Sequence, residues 1–328
     1  MINIFKNKMK IYNYILFLIY IALYPSTCIS QKLGLRQLST VSEIKMTIKG
    51  IGIQYILSPY FEYEEEKIGN IIINNVSQTD KTKIKFDLNN EINYVTIVFN
   101  SKIDNMYQMF LGLSNITYID FSNFDSSGIR LMGDLFYDCR SLISLNLTNF
   151  NTSLVTDMSN VFNGCSSLKE LNLNKFNTLL VENMANMFNN CSSLVSLDLN
   201  NFITSSVIFM ENMFSNCNSL KSLDLRNFRT SNVNSLREMF YGCKSLISLD
   251  LSSFDTSHMT NMVFAFKECS SLKTLDLTNF NTSSVVSMDE MFYECNSLES
   301  LNLKSFDTSS VTDMSEMFFN CKSLKLWI

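Results

Sequence analysis

Hydrophobic and polar residues alternate in a fixed order from Met106 to the end of the chain. With Met158 as position 1, apolar residues recur at positions 1, 4, 5, 8, 11, 14, 16, 19 and 24 of a 26-residue period. A fixed period of this length is typical of a solenoid, in which each coil buries its apolar face against its neighbours. The pattern predicts about nine coils, of which the last is incomplete.

Each coil is predicted to contain one short helix and one strand. Positions 1, 4 and 5 have the spacing of one helix face, and positions 14 and 16 alternate as in a strand. Six of the seven residues before position 1 are good N-caps, among them Asp157, and Ser235 with Glu238 and Ser287 with Glu290 match capping boxes. We therefore predict an α/β solenoid of the leucine-rich-repeat type.

A different pattern precedes the repeats. Apolar residues alternate with polar ones in "SEIKMTIK", "KTKIKFDL" and "NYVTIVF", and "NIIINNV" adds a short apolar run. Period-two patterns rich in β-branched residues predict strands. We expect a small β-rich domain over residues 31–104, followed by the solenoid over residues 105–328.

The first 30 residues resemble an export signal. "MINIFKNKMK" has three lysines, "YILFLIYIALY" is an apolar run, and "PSTCISQ" offers small residues for cleavage after Ser30. This order is typical of a secretory signal peptide, and the apolar run is short for a membrane span. An uncleaved anchor and a lipoprotein with lipidated Cys28 are the alternatives. We expect a secreted or cell-surface protein with no transmembrane span after cleavage.

Composition and motifs argue against two functional classes. The chain has 328 residues, is 46% hydrophobic and has a formal net charge of −5, which gives no reason to expect a nucleic acid partner. The chain has a single histidine, His258, and this argues against a histidine-based catalytic triad or a histidine-rich zinc site. No phosphate-binding loop, dinucleotide fingerprint or nucleophile elbow occurs. We expect a protein that is not an enzyme and needs no cofactor.

The repeated phrase resembles a known family. "MFYECNSLESLNLKSFDTSSVTDM" is similar to the repeat of the BspA-like leucine-rich-repeat surface proteins, and the resemblance extends from Met106 to the end. It implies an exported surface protein that functions in adhesion or in contact with host or matrix. The sequence ends in mid-coil at "CKSLKLWI". An uncapped coil exposes apolar surface and strand edges, which predicts self-association there as one option.

One cysteine recurs in each coil from the second onward, at position 8. A buried free thiol, a disulfide ladder and a zinc site are three hypotheses for these residues. The first coil has Leu113 at this position, which indicates that an apolar side chain is needed and a thiol is not. We therefore favour a structural ladder of buried thiols. Its members are Cys139, Cys165, Cys191, Cys217, Cys243, Cys269, Cys295 and Cys321.

A polar stripe on the strands is the candidate site. The residue between the two strand leucines is always Asp or Asn, and stacked coils would align these side chains. Aspartates Asp198, Asp224, Asp250 and Asp276 form a candidate cation or ligand stripe, and Asn146, Asn172 and Asn302 are further ligand-face candidates. A solvated face that keeps the sheet soluble is one interpretation. A ligand surface is the other, with a divalent cation as one way to bridge the like charges.

Two functions therefore remain open. The first is adhesion or recognition of an extracellular protein or glycan ligand. The second is a structural surface coat that forms by self-association.

Overall fold

The structure is a computed structural model that describes residues 41–62 and 64–325. The predicted signal peptide lies outside these residues. Residues from Ser42 onward form one compact unit. Within the described part of the chain, no helix has both the length and the apolar character to cross a membrane.

Six strands form the region before the repeats, and each of the three alternating segments and the apolar run contains residues of at least one of them. Side chains that the pattern places on one face of the first strand, Ile44, Met46 and Ile48, are at most 2% exposed. A short 3₁₀ helix lies at Glu65–Lys67. The strands are β1 Ser42–Lys49, β2 Gly52–Tyr55, β3 Ile68–Ile73, β4 Val76–Ser77, β5 Lys85–Leu88 and β6 Ile92–Phe99.

One sheet joins this region to the first two coils. Strand β7, Ile116–Asp120, belongs to the first coil, and β8, Ser144–Asn146, belongs to the second. The six-stranded sheet has the order β4-β3-β6-β1-β7-β8. Strand β1 pairs antiparallel with β7, with Met46 opposite Ile119, and β7 pairs parallel with β8. The first coil therefore has a paired strand on both sides, which covers the hydrogen-bonding edge that a terminal coil would otherwise expose.

A second parallel sheet lies in the later coils. Its strands are β9 Ser248–Leu249, β10 Thr274–Asp276 and β11 Ser300–Asn302. In the coils between the two sheets, the corresponding residues are linked by longer backbone hydrogen bonds. One example is the bond from the Val195 N–H to the Lys169 carbonyl at 3.3 Å. That described stretch contains no regular strand. The repeat is thus a β-solenoid whose strand side is most regular at its two ends.

The helix predicted in each coil is absent from every described coil, so the α/β class is wrong. Backbone N–H groups of Met158, Asn160 and Phe162 donate to carbonyls of the next coil at 2.9–3.0 Å. An α-helix would need these donors for carbonyls four residues back. The intervening N–H groups close tight turns, as from Asn163 to the Asn160 carbonyl at 3.0 Å. Two successive turns thus present apolar side chains with the same spacing that a helix face has.

The predicted capping boxes also have another role. Glu238 and Glu290 have φ values of 55° and 47°, which no residue inside a right-handed helix adopts. Their predicted partners, Ser235 and Ser287, accept a hydrogen bond from the N–H two residues later, which closes a turn. Asp157 does the same with the Ser159 N–H at 2.8 Å. The N-cap residue types are therefore turn formers here.

The apolar positions form ladders along the solenoid. Phenylalanine rings at position 5 stack from Phe110 to Phe318, with ring centroids of neighbouring coils 5.5–5.8 Å apart. Within the third coil all nine apolar positions, from Met158 to Val181, are at most 8% exposed. The nine-position pattern from the sequence is therefore the core, although one of its segments is not a helix.

A threonine ladder at position 21 links the coils by polar contacts. The sequence analysis missed it, although threonine recurs at this position in every coil from the second to the eighth. The Thr204 hydroxyl donates to the Arg229 carbonyl at 3.0 Å and accepts the Arg229 N–H at 2.7 Å. One side chain thus satisfies both backbone groups of a residue in the next coil. The buried members are Thr152, Thr178, Thr204, Thr230, Thr256 and Thr282.

Candidate ligand-binding face

Positions 13, 15 and 17 of the coils point away from the core and form what we call the strand face. Position 15 contains the predicted stripe, and the parallel register places Asp276 beside Asn302 in β10 and β11. Asp120 beside Asn146 extends the stripe into the first coil, which the sequence analysis missed. Neighbouring strands lie ~4.8 Å apart, so the stripe is a regular row of polar groups. Its predicted members are Asn146, Asn172, Asp198, Asp224, Asp250, Asp276 and Asn302, all exposed or half-buried.

Each stripe side chain also closes a turn. Its Oδ1 accepts a hydrogen bond from the N–H two residues later, at 3.0 Å for Asp198 and Asp250 and 2.9 Å for Asp276. The same bond forms at the three asparagines. Asp and Asn favour this local bond because their short side chains place an oxygen near the following backbone. The local turn therefore explains why position 15 is restricted to these two residue types.

Asp250 and Asp276 of the stripe are held in their charged form. Hydrogen bonds from Ser252 lower the pKa of Asp250, and hydrogen bonds from Thr278 lower the pKa of Asp276. In both cases the neighbouring aspartate of the stripe opposes the shift. The hydrogen bonds outweigh this repulsion, so these carboxylates stay ionised at neutral pH. Such groups accept hydrogen bonds but are poor proton donors.

Asp224 differs from the other aspartates because an arginine pairs with it. Arg226 donates from Nε to Oδ1 at 3.0 Å and from Nη2 to Oδ2 at 2.6 Å. These hydrogen bonds lower the pKa of Asp224 to about 2. Arg226 occupies position 17, where Ser252 and Thr278 stand in the next two coils. The negative charge of Asp224 is thus compensated by the positive charge of Arg226 in the same coil.

Two shallow depressions lie on the strand face and use the same coil positions. The larger, about 770 Å³, spans three coils and is lined by polar groups such as Thr274, Asp276 and Lys304 over the strand leucines. The smaller, about 370 Å³, includes Asn172, Asp198 and their neighbours. The coil that contains the Asp224–Arg226 pair stands between them in the chain. The face is therefore concave in at least two places, where polar side chains and strand leucines together form the lining.

A divalent cation bound along the stripe stays a prediction. Among the residues that the structure describes, no group of three or more His, Cys, Asp or Glu side chains is arranged to hold a metal ion. Both oxygens of Asp224 face Arg226 instead. Divalent cations take several oxygen ligands at once, which one row of single carboxylates does not supply.

The cysteines of the ladder are free thiols, and the seven from Cys139 to Cys295 are buried while Cys321 is partly exposed. Each Sγ–H donates to the backbone carbonyl of a phenylalanine 29 residues earlier, as from Cys191 to Phe162 at 3.1 Å. Burial raises the pKa of Cys191 and of Cys243 to about 12. A thiol of this kind is not a nucleophile at neutral pH, since reactivity requires the thiolate.

Comparison with known proteins identifies the family. The model of the family described as "Mycoplasma protein of unknown function, DUF285" matches four overlapping segments, at residues 61–149, 104–223, 143–248 and 209–327. Together they span residues 61–327, which is well over half of the chain. The chain belongs to the DUF285 family.

Other comparisons add little to this assignment of the DUF285 chain. None of the curated proteins matches it. One similar solved structure is that of a leucine rich cell surface protein from Faecalibacterium prausnitzii A2-165. It is 18% identical over 60% of this chain and 75% of that chain, with a TM-score of 0.19. At this TM-score the likeness supports no inference about the present protein.

A second surface of this DUF285 chain has apolar residues at positions where most other coils have polar ones. Leu179 occupies position 22, where the other coils from the second onward have serine, and Phe209 occupies position 26, where polar residues predominate. Leu179 and Phe209 are 50% and 44% exposed. With Leu180, Ile203 and Ile208 they form what we call the apolar patch, on the same segment of two adjacent coils. The repeat comparison could have found it, because these exposed positions are polar in most other coils.

Proposed function

We propose that this protein is exported and recognises an extracellular protein or glycan through its strand face, as a non-enzymatic surface or secreted protein. Export rests on the signal-peptide pattern of residues 1–30. The recognition role rests on one observation. The same coil positions line two depressions on an exposed polar face that extends along the solenoid. Solenoids offer extended surfaces of this kind to their partners.

Solvation alone does not account for the shape of this face. A solvated sheet needs polar side chains, but it does not need depressions that reach leucines such as Leu275 and Leu301. Binding sites combine an apolar floor with a few polar groups that fix orientation. The larger depression has polar groups beside the partly exposed Leu301, and its carboxylates Asp250 and Asp276 are charged and ordered by their turns. Recognition is therefore favoured over a purely solubilising role.

Export and anchoring are tested by antibody labelling of intact source cells, together with an assay of the medium. Labelling of unpermeabilised cells, or protein in the medium, is the expected result. Signal that appears only after permeabilisation would contradict export.

Recognition is tested by binding of the fluorescently labelled protein to wells coated with extracellular matrix. The double variant Asp250→Asn/Asp276→Asn removes two charges and retains the turn, since Asn forms the same turn at Asn302. We expect it to lose binding. Asp255→Asn is the matched control, because Asp255 closes the same kind of turn at position 20 of the same coil. Equal binding by both variants would refute recognition through the strand face.

A surface coat is the second candidate function, and the apolar patch favours it. Exposed apolar residues on adjacent coils often mark contacts with another protein. Self-association through the patch would make sedimentation depend on protein concentration. Phe209→Ser, which restores the residue type of Ser235 and Ser287, should then yield a monomer. A wild-type protein that stays monomeric at high concentration would exclude the coat.

A further inference from the structure

Each coil of the larger depression presents the same set of polar groups. Position 13 is a hydroxyl in all three coils, at Ser248, Thr274 and Ser300. Position 15 supplies an ordered oxygen acceptor, and position 17 supplies a donor such as Lys304. The sets are in register, because Thr274 lies beside Ser248 on one side and Ser300 on the other. The depression is thus a three-fold repeat of one small binding motif.

The distance between successive copies of this motif indicates which spacing of binding groups a ligand must have. Strands lie ~4.8 Å apart, so an ideal ligand offers the same groups once every ~4.8 Å along the solenoid axis. An extended peptide advances ~3.3 Å per residue and shows the same face every second residue, so it falls out of register within two coils. An extended chain of β-1,4-linked pyranose rings advances by nearly one strand spacing per ring. Alternate rings are turned over, but every ring has hydroxyl groups on both edges and so offers them to each coil. These hydroxyl groups can both donate to carboxylates and accept from Ser, Thr and Lys.

The negative charge of the depression restricts the class of ligand further. Asp250 and Asp276 repel polyanions, so acidic polysaccharides and nucleic acids fit this surface poorly. The partly exposed side chain of Leu301 in the lining suits the flat carbon face of a sugar ring. We infer that the ligand of the larger depression is a linear, uncharged polysaccharide that lies along the solenoid axis with one ring per coil. This inference rests on the proposed recognition function and names the ligand class of the same face.

Arg226 sets the length of this site. In the coil next to the depression it occupies position 17 and binds both oxygens of Asp224. That coil therefore has neither a free acceptor at position 15 nor a small donor at position 17. The binding motif is interrupted between the coil of Asp250 and the coil of Asp198. Three rings should fill the site of the wild-type protein, and Arg226→Ser should extend it.

The test is calorimetric titration of the full chain with 1,4-linked β-glucan oligosaccharides of two to six rings. Affinity should rise roughly tenfold from two rings to three, because linked rings bind as one ligand, and then level off. In Arg226→Ser it should continue to rise beyond three rings. Thr274→Val should weaken binding roughly fivefold, which is typical for the loss of one hydrogen bond. Thr260→Val, at the exposed position 25, is the matched control and should not change it.

Several outcomes would overturn the inference. Affinity that does not depend on length, equal effects of Thr274→Val and Thr260→Val, or equal binding of polygalacturonate would each do so. If no oligosaccharide binds while Asp250→Asn/Asp276→Asn still abolishes matrix binding, the ligand class is wrong and the recognition function stands. If neither the oligosaccharides nor the matrix binds, both proposals fail.

Discussion

Replacing Thr204 by valine should destabilise the solenoid far more than its small change in shape suggests. Valine has nearly the shape of threonine, and Thr204 is only 1% exposed, so the packing volume is conserved. The lost hydroxyl leaves the N–H and the carbonyl of Arg229 without their partner at 2.7 and 3.0 Å. An unsatisfied buried polar group costs ~1–3 kcal/mol. Because Arg229 is itself partly solvated, we expect a loss of about 2–4 kcal/mol in the free energy of unfolding.

The assay is urea denaturation followed by far-ultraviolet circular dichroism. Thr204→Ser keeps the hydroxyl and should lose less than Thr204→Val. The matched control is Thr308→Val, at the same position of the last complete coil, where the side chain is exposed. We expect the control to change stability by less than about 0.5 kcal/mol, as exposed substitutions usually do. Equal losses for Thr204→Val and Thr308→Val would refute the role assigned to the threonine ladder.

Three further predictions concern titration and reactivity. Burial raises the pKa of Cys191 to about 12, so its stabilising contribution is complete below the unfolded value near 9 and is lost as pH rises from there towards 12. Between pH 9.5 and 10.5 the free energy of unfolding should therefore fall less steeply with pH in Cys191→Ala than in the wild-type protein. The two slopes should differ by about 1.4 kcal/mol per pH unit, and equal slopes would contradict this. Arg226→Ala should move the pKa of Asp224, followed by nuclear magnetic resonance, from about 2 towards about 4. An unchanged value would rule out Arg226 as the cause. Iodoacetamide should label Cys321 in the native protein before the other ladder cysteines, because it alone among them is partly exposed, and uniform labelling would argue against a folded ladder.

The sequence predicted the core positions of the coils well because one signal repeats. The apolar positions of the coil are core positions, and the three alternating segments before the repeats contain strands. Each such prediction needs only the direction of side chains, which the pattern of apolar residues reports directly. The repeat also located the strand face, since the polar residue between two core leucines must point outward.

The predicted helix failed because spacing does not determine where backbone hydrogen bonds go. Apolar residues at positions 1, 4 and 5 fit a helix face and also fit two successive turns. A discriminating signal was present at position 3, where Asn160, Asn186 and Asn212 have φ values of 55–57°. Asparagine is among the few residues that tolerate this region, so its recurrence inside a proposed helix argues for turns. A helix of two turns is also too short to be stable alone.

Features that depend on contacts between coils could not be predicted in the same way. The threonine ladder and the Asp224–Arg226 pair require knowledge of which groups face each other. The sheet shared by β1 and β7 likewise depends on how two different regions meet. No periodicity within one segment reports such pairings.

The most direct test of recognition through the strand face is to cover that face. In a Cys28→Ala/Cys321→Ala background the cysteines that remain are the buried ones of the ladder, so a bulky maleimide can be placed on Thr274→Cys alone. The same label on Ser257→Cys, at position 22 of the preceding coil, is the control. We predict that the label on Thr274→Cys abolishes binding to matrix-coated wells and that the label on Ser257→Cys does not. Undiminished binding by the protein labelled at Thr274→Cys would contradict the account.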